Sequence, residues 1–214
     1  VTVGFPLFLV VVAVAAVLLL RRADPARRAL ILRRAGFVVM AVSTVFFGLF
    51  AVGETFADPG GWKALGLVCA WLVPLLGLLA LAWFRQDWAI RVFALLIAAL
   101  IGVSIWFALD PQGWRSFEDR NGPIRSLVTF VVAAAVTLLG LKRTAASGLM
   151  LLVLSVVPLA VTSLGGRFGF ASLIVATSAP FITAVLYLLS TVMAGRSETQ
   201  RAAGTGPEGR LRGT

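Results

Sequence analysis

The acidic side chains of this 214-residue chain that could do chemistry gather in two stretches, Glu54 with Asp58 and then Asp110 with Glu118 and Asp119. Arg115, Arg120 and Asn121 lie among the second group. Clustered carboxylates beside an amide are oxygen donors suited to a hard cation or a polar ligand. The same positions also have an ordinary structural use. Asp24-Pro25, Asp58-Pro59 and Asp110-Pro111 read as helix starts, with Asp accepting from free amides as N-cap and Pro at the first helical position. Capping and ion pairing account for the group more economically than a ligand does. Glu54, in Gly53-Glu54-Thr55-Phe56, has no capping role of this kind. The chain has no His and a single Cys69, which excludes imidazole ligands, His general bases, an intrachain disulfide and a Cys-based metal site. No catalytic set, metal site or cofactor is read from these residues.

A second polar pattern is uncharged. At 100° per residue, Ser172, Pro180, Thr183, Tyr187, Ser190 and Thr191 share an arc of about 100°, which Thr177 extends. Ser155, Pro158 and Thr162 line one helix face in the same way. Ser155, Thr162, Thr177, Thr183 and Tyr187 are therefore candidates to line a solute path. The simpler use of such a face is helix packing through small residues and hydroxyl bonds. Pro74, Pro158 and Pro180 could break helices, as at a transporter's midplane, or only bend them. A third feature is basic: Arg21, Arg22, Arg27, Arg28, Arg33 and Arg34 fall within fourteen residues and could hold anionic lipid, at roughly 1 kcal/mol per basic residue near a membrane surface.

What positions these groups is a series of apolar runs, expected at residues 1–20, 35–53, 64–84, 92–109, 124–141, 144–164 and 168–194. Of all the charged residues, only Arg125 enters a run, near its mouth. About 20 residues cross the hydrocarbon core, and backbone groups in lipid must pair within their own segment. The expected fold is thus an all-α, seven-span transmembrane bundle without a separate soluble domain. With the N-terminus outside, the outer connections hold Lys63, Arg115, Arg120, Arg125 and Arg167, and every other Lys and Arg falls inside. That bias predicts N-out, C-in. Residues 1–20 read as a span rather than a cleaved signal peptide, because their charges follow the apolar stretch instead of preceding it. The net charge of +10 is explained by topology and points to no nucleic acid partner.

Asp58-Pro59-Gly60-Gly61-Trp62 and Asp110-Pro111-Gln112-Gly113-Trp114 repeat one pattern, each after an outward-going run. Repeated helical hairpins are one explanation and interfacial convergence is the other. Residues 111–120 are expected to form a short interfacial helix, with Trp114 and Phe117 on one face. Trp62, Trp83, Trp88 and Trp114 mark headgroup level, while Trp71 and Trp106 lie further inside. Residues 195–214, rich in Gly and Arg, read as a disordered tail.

Gly53 to Trp62, Trp114 to Arg125 and Gly140 to Thr144 carry a resemblance. Over about residues 30–192 the chain is similar to uncharacterised multi-pass membrane proteins of high-GC actinobacteria. The resemblance implies only a bacterial plasma membrane location, and it carries no known activity and no functional residue. Seven spans also suggest rhodopsins, but the last run has no Lys for a retinal Schiff base. The leading expectation is a non-enzymatic membrane protein that engages another membrane component, such as a membrane-protein partner, through outer loops or bundle faces. The alternative is a permease or channel-like carrier for an uncharged or weakly polar solute.

Overall fold

The computed structural model describes residues 25–57, 61–110, 112–113, 116–117, 124–165 and 170–204. Almost all of these residues are helical and none forms a strand. The helices are α1 (Pro25–Ala57), α2 (Gly61–Phe84), α3 (Gln86–Leu109), α4 (Ile124–Leu139), α5 (Thr144–Gly165) and α6 (Phe170–Gly204). Five of them, all but α4, are long and apolar enough to cross a membrane. The first expected run, residues 1–20, lies outside the described residues.

Helix boundaries follow local signals. The first described helix begins at Pro25, ten residues before its apolar run, as the Asp-Pro start predicts. Between α2 and α3 only Arg85 leaves helical geometry, at φ −131° and ψ 67°, and the hydrogen-bond ladder resumes on both sides of it. The next helix therefore starts at Gln86 rather than at Val92. Its first turn, with Asp87 and Arg91, is polar because it sits before the apolar stretch. At the far end, α6 runs to Gly204, ten residues into the segment expected to be disordered. Ser, Glu, Gln, Arg and Ala in 196–203 carry no helix breaker, so a helix already nucleated in the bundle extends through them. Residues 205–214 lie outside the described set. Helices α2, α5 and α6 continue through Pro74, Pro158 and Pro180.

The expected fifth run is observed as α4, of 16 residues, ending at Leu139 in a turn through Gly140 and Lys142. At 1.5 Å per residue it is shorter than the hydrocarbon core. It is also the hub of the bundle, touching every other described helix. Thr129, Val132, Ala133, Ala135, Val136, Thr137 and Leu139 are all buried. Being enclosed by protein lets a helix shorter than the hydrocarbon core sit in the bundle without exposing its backbone to lipid. Its small side chains let the neighbours approach closely, which matters because apolar burial itself does little to drive association in lipid. Around it, α6 lies between α1 and α5, α5 also packs on α3, and α2 rests mainly on α4.

Candidate functional site

The outer acidic group falls largely outside the described residues: Asp58, Arg115, Glu118, Asp119, Arg120 and Asn121 are not placed. Glu54 sits in the last turn of α1, and its side chain is likewise not described. Asp110 is described, and it performs the role that its sequence suggests. Its Oδ1 accepts from the Gly113 N–H at 2.9 Å, the geometry of an N-cap, and residues 112–113 and 116–117 are helical. A Cβ on Gly113 would strike the Asp110 carboxylate, which explains the glycine in this copy of the repeat. In the other copy the corresponding Gly61 opens α2 at φ +59°, a left-handed conformation that glycine accepts readily. One sequence pattern thus serves two different backbone needs. Among the described residues, no cluster of acidic, His or Cys side chains could hold a metal.

The hydroxyl stripe turns inward and is used in packing. Ser155 is buried and donates to the Leu151 carbonyl at 2.7 Å within its own helix. Thr177 is buried too, while the Thr162 side chain is not described. Thr183 reaches across to α1, donating to the Gly36 carbonyl at 3.2 Å. Tyr187 is fully buried and donates to the Thr137 carbonyl of α4 at 2.9 Å. Glycines clear the space for its ring. A Cβ on Gly36 would come within 2.9 Å of Cε1, and one on Gly140 within 2.7 Å of Cδ2 on the opposite edge. Ser147 at the start of α5 donates to the Val136 carbonyl and fastens the same region. One tyrosine therefore joins α1, the α4–α5 turn, α5 and α6.

Most of the described basic residues collect at one end, Lys63 and Arg125 lying toward the other. Lys142 donates to the Trp83 carbonyl at the C-terminus of α2 at 2.9 Å, with its ammonium 4.4 Å from the Trp83 ring centroid. Arg143 pairs with Asp87 at 3.1 Å, both side chains being more than half exposed. The α2–α3 and α4–α5 connections thus meet, as two connections on one side of a membrane would. Of the expected lipid-contact arginines, Arg27, Arg28, Arg33 and Arg34 lie in α1, and Arg21 and Arg22 are outside the described residues. Beside them is a cavity of about 240 Å³, lined by Ala29, Leu30 and Arg33 of α1, Thr144 of α5, and Ser190, Thr191 and Ala194 of α6. Ser190 and Thr191 belong to the stripe read from the sequence, and they lie nearer the basic end than the members expected to line a solute path. The useful signal was proximity to the basic end.

A different kind of surface runs along α2. Only 6% of its apolar span is buried, against 28–33% for the other four long helices. Gly66, Ala70, Val73, Gly77 and Ala80 are all exposed and share an arc of about 80° at 100° per residue. Nothing lies within 4 Å of where a Cβ would sit on Gly66 or Gly77. These glycines have no packing reason inside the described bundle. No family model, curated protein or solved structure matches the chain.

Proposed function

We propose that the chain is a seven-span, N-out, C-in, non-enzymatic protein of a bacterial plasma membrane that engages a second integral membrane protein through α2. The observation that carries this reading is the outward stripe of Gly66, Ala70, Gly77 and Ala80 on the least buried long helix. Glycine lowers helix propensity by about 1 kcal/mol relative to alanine, a cost that lipid contact does not offset. Close approach of another helix does offset it, because small residues let backbones meet and gain dispersion and Cα–H contacts. The carrier reading has less support, since Ser155, Thr183 and Tyr187 bond to backbone carbonyls inside the packing.

A photo-cross-linking side chain at Val73 tests the proposal in native membranes, with one at exposed Leu149 of α5 as the control. Val73 should give a discrete protein adduct that Leu149 does not, and Gly77→Leu should abolish it while leaving the fold intact. Lipid adducts alone at both positions, or a link from Val73 to residues 1–20 of the same chain, would refute it.

A further inference from the structure

The cavity at the basic end has a donor and acceptor set that specifies a ligand. Arg33 lines it, and no described acidic side chain pairs with Arg33; Asp87, in the first turn of α3 at the same end, is bonded to Arg143. The three hydroxyls have their protons committed elsewhere. Thr144 donates to the Gly140 carbonyl at 3.0 Å, Ser190 to Tyr187 at 2.7 Å and Thr191 to Leu188 at 2.7 Å. Each therefore offers oxygen lone pairs rather than a hydrogen. The residues that line the cavity bring one guanidinium and three acceptor hydroxyls to it, a set that a bare anion does not satisfy. Its matching ligand carries an anionic oxygen group and hydrogen-bond donors together.

The setting narrows the class. Ala29, Leu30 and Ala194 supply an apolar wall, and Leu30 is 37% exposed on the outer surface of α1. The site lies where the second and third turns of α1 and the first residue of α5 meet α6 within its last six residues before Gly195, where its apolar span ends, a level that in an inserted bundle is close to the headgroups. Basic pockets between transmembrane helices at this depth suit phosphate headgroups. A volume of about 240 Å³ falls just below the roughly 300 Å³ at which drug-sized ligand sites begin, so it matches a headgroup rather than a larger molecule.

We infer that this cavity seats a hydroxylated phosphate ester, the glycerol-phosphate head of an anionic phospholipid or its soluble counterpart, with Arg33 on the phosphate and Thr144, Ser190 and Thr191 accepting from the ligand's hydroxyls. The inference rests on membrane insertion and is independent of the α2 surface.

Native mass spectrometry of the full chain, released from detergent with phosphatidylglycerol, phosphatidic acid, phosphatidylcholine or glycerol 3-phosphate, tests it. Phosphatidylglycerol should be retained above phosphatidic acid, and phosphatidylcholine least. Arg33→Gln should weaken phosphatidylglycerol about tenfold, the scale of one charge-assisted bonded pair, while Arg33→Lys retains part of the binding. Thr191→Val removes one of the three acceptors and should narrow the preference for phosphatidylglycerol over phosphatidic acid, because the glycerol hydroxyls that set that preference lose one partner. Arg34→Gln, one residue from the cavity lining, should change neither. Displacement of the lipid by glycerol 3-phosphate would assign the site to the soluble ester as well, and its failure to displace would assign it to the lipid. Equal losses from Arg33→Gln and Arg34→Gln, or phosphatidylcholine held as tightly as phosphatidylglycerol, would overturn the inference.

Discussion

Tyr187 touches more helices than its one hydrogen bond suggests, because its ring is gripped from two edges by Gly36 and Gly140, where an added Cβ would clash with it. Gly140→Ala should be the most damaging small substitution in the chain, since the new carbon meets Cε2, Cδ2 and Cζ of a ring that cannot rotate away. Overpacking of this kind costs about 1–3 kcal/mol, read as a lowered midpoint in detergent unfolding. Gly36→Ala should cost less, its nearest ring atom being 2.9 Å off, and Gly148→Ala least, since its nearest neighbours are the flexible Leu188 Cδ2 and Cγ at 3.1 Å. Gly102→Ala, in open space on α3, should leave the midpoint unchanged or raise it. Removing the hydroxyl with Tyr187→Phe should cost only about 0.6 kcal/mol, the average for interhelical bonds in membranes. The Thr137 carbonyl keeps a partner in the Gly140 N–H at 3.1 Å. Little of this was legible in the sequence. Gly36, Gly140 and Tyr187 are far apart in the chain, and no periodicity links a glycine to the aromatic ring that it admits.

Helices were far more legible than contacts, because apolar length and charge-bearing ends are local properties. The Asp-Pro starts located Pro25 and the Asp110 cap, whereas the shortness of α4 was hidden, since its apolar run continues to Leu141 and only the Gly140 turn ends it. What holds neighbouring helix ends together is equally nonlocal. Lys142 and Arg143 are adjacent in sequence, yet they do unequal work. The first satisfies a C-terminal carbonyl of α2 and stacks on Trp83. The second makes an ion pair between exposed groups. Lys142→Ala should lower stability by about 1 kcal/mol, combining a lost cap with an exposed cation–π contact. Arg143→Ala should change it by less than about 0.5 kcal/mol, and added salt should erase that difference. Unfolding of the two variants at low and high ionic strength separates the contributions.

Across the whole molecule, charge is segregated by end rather than by face. Arg27, Arg28, Arg33, Arg34, Arg85, Arg91, Lys142 and Arg143 lie toward one end of the described bundle with Asp87, while Lys63 and Asp110 lie toward the other. Contacts between the two basic connections, Lys142 with Trp83 and Arg143 with Asp87, require those connections to share a side, which the charge rule had assigned to both independently. Orientation then becomes a single binary question, answerable without residues 1–24. In a Cys69→Ser background, Arg85→Cys and Gln112→Cys place thiols at exposed positions on opposite ends. A membrane-impermeant maleimide applied to intact cells should label the thiol at 112 and reach the one at 85 only after permeabilisation. The reverse pattern would put the basic end outside and invert the topology. Labelling of both thiols from outside would mean that α3 does not span. Because α3 is 24 residues long and packs against both α5 and the hub helix α4, that outcome would displace the membrane from the neighbouring helices as well.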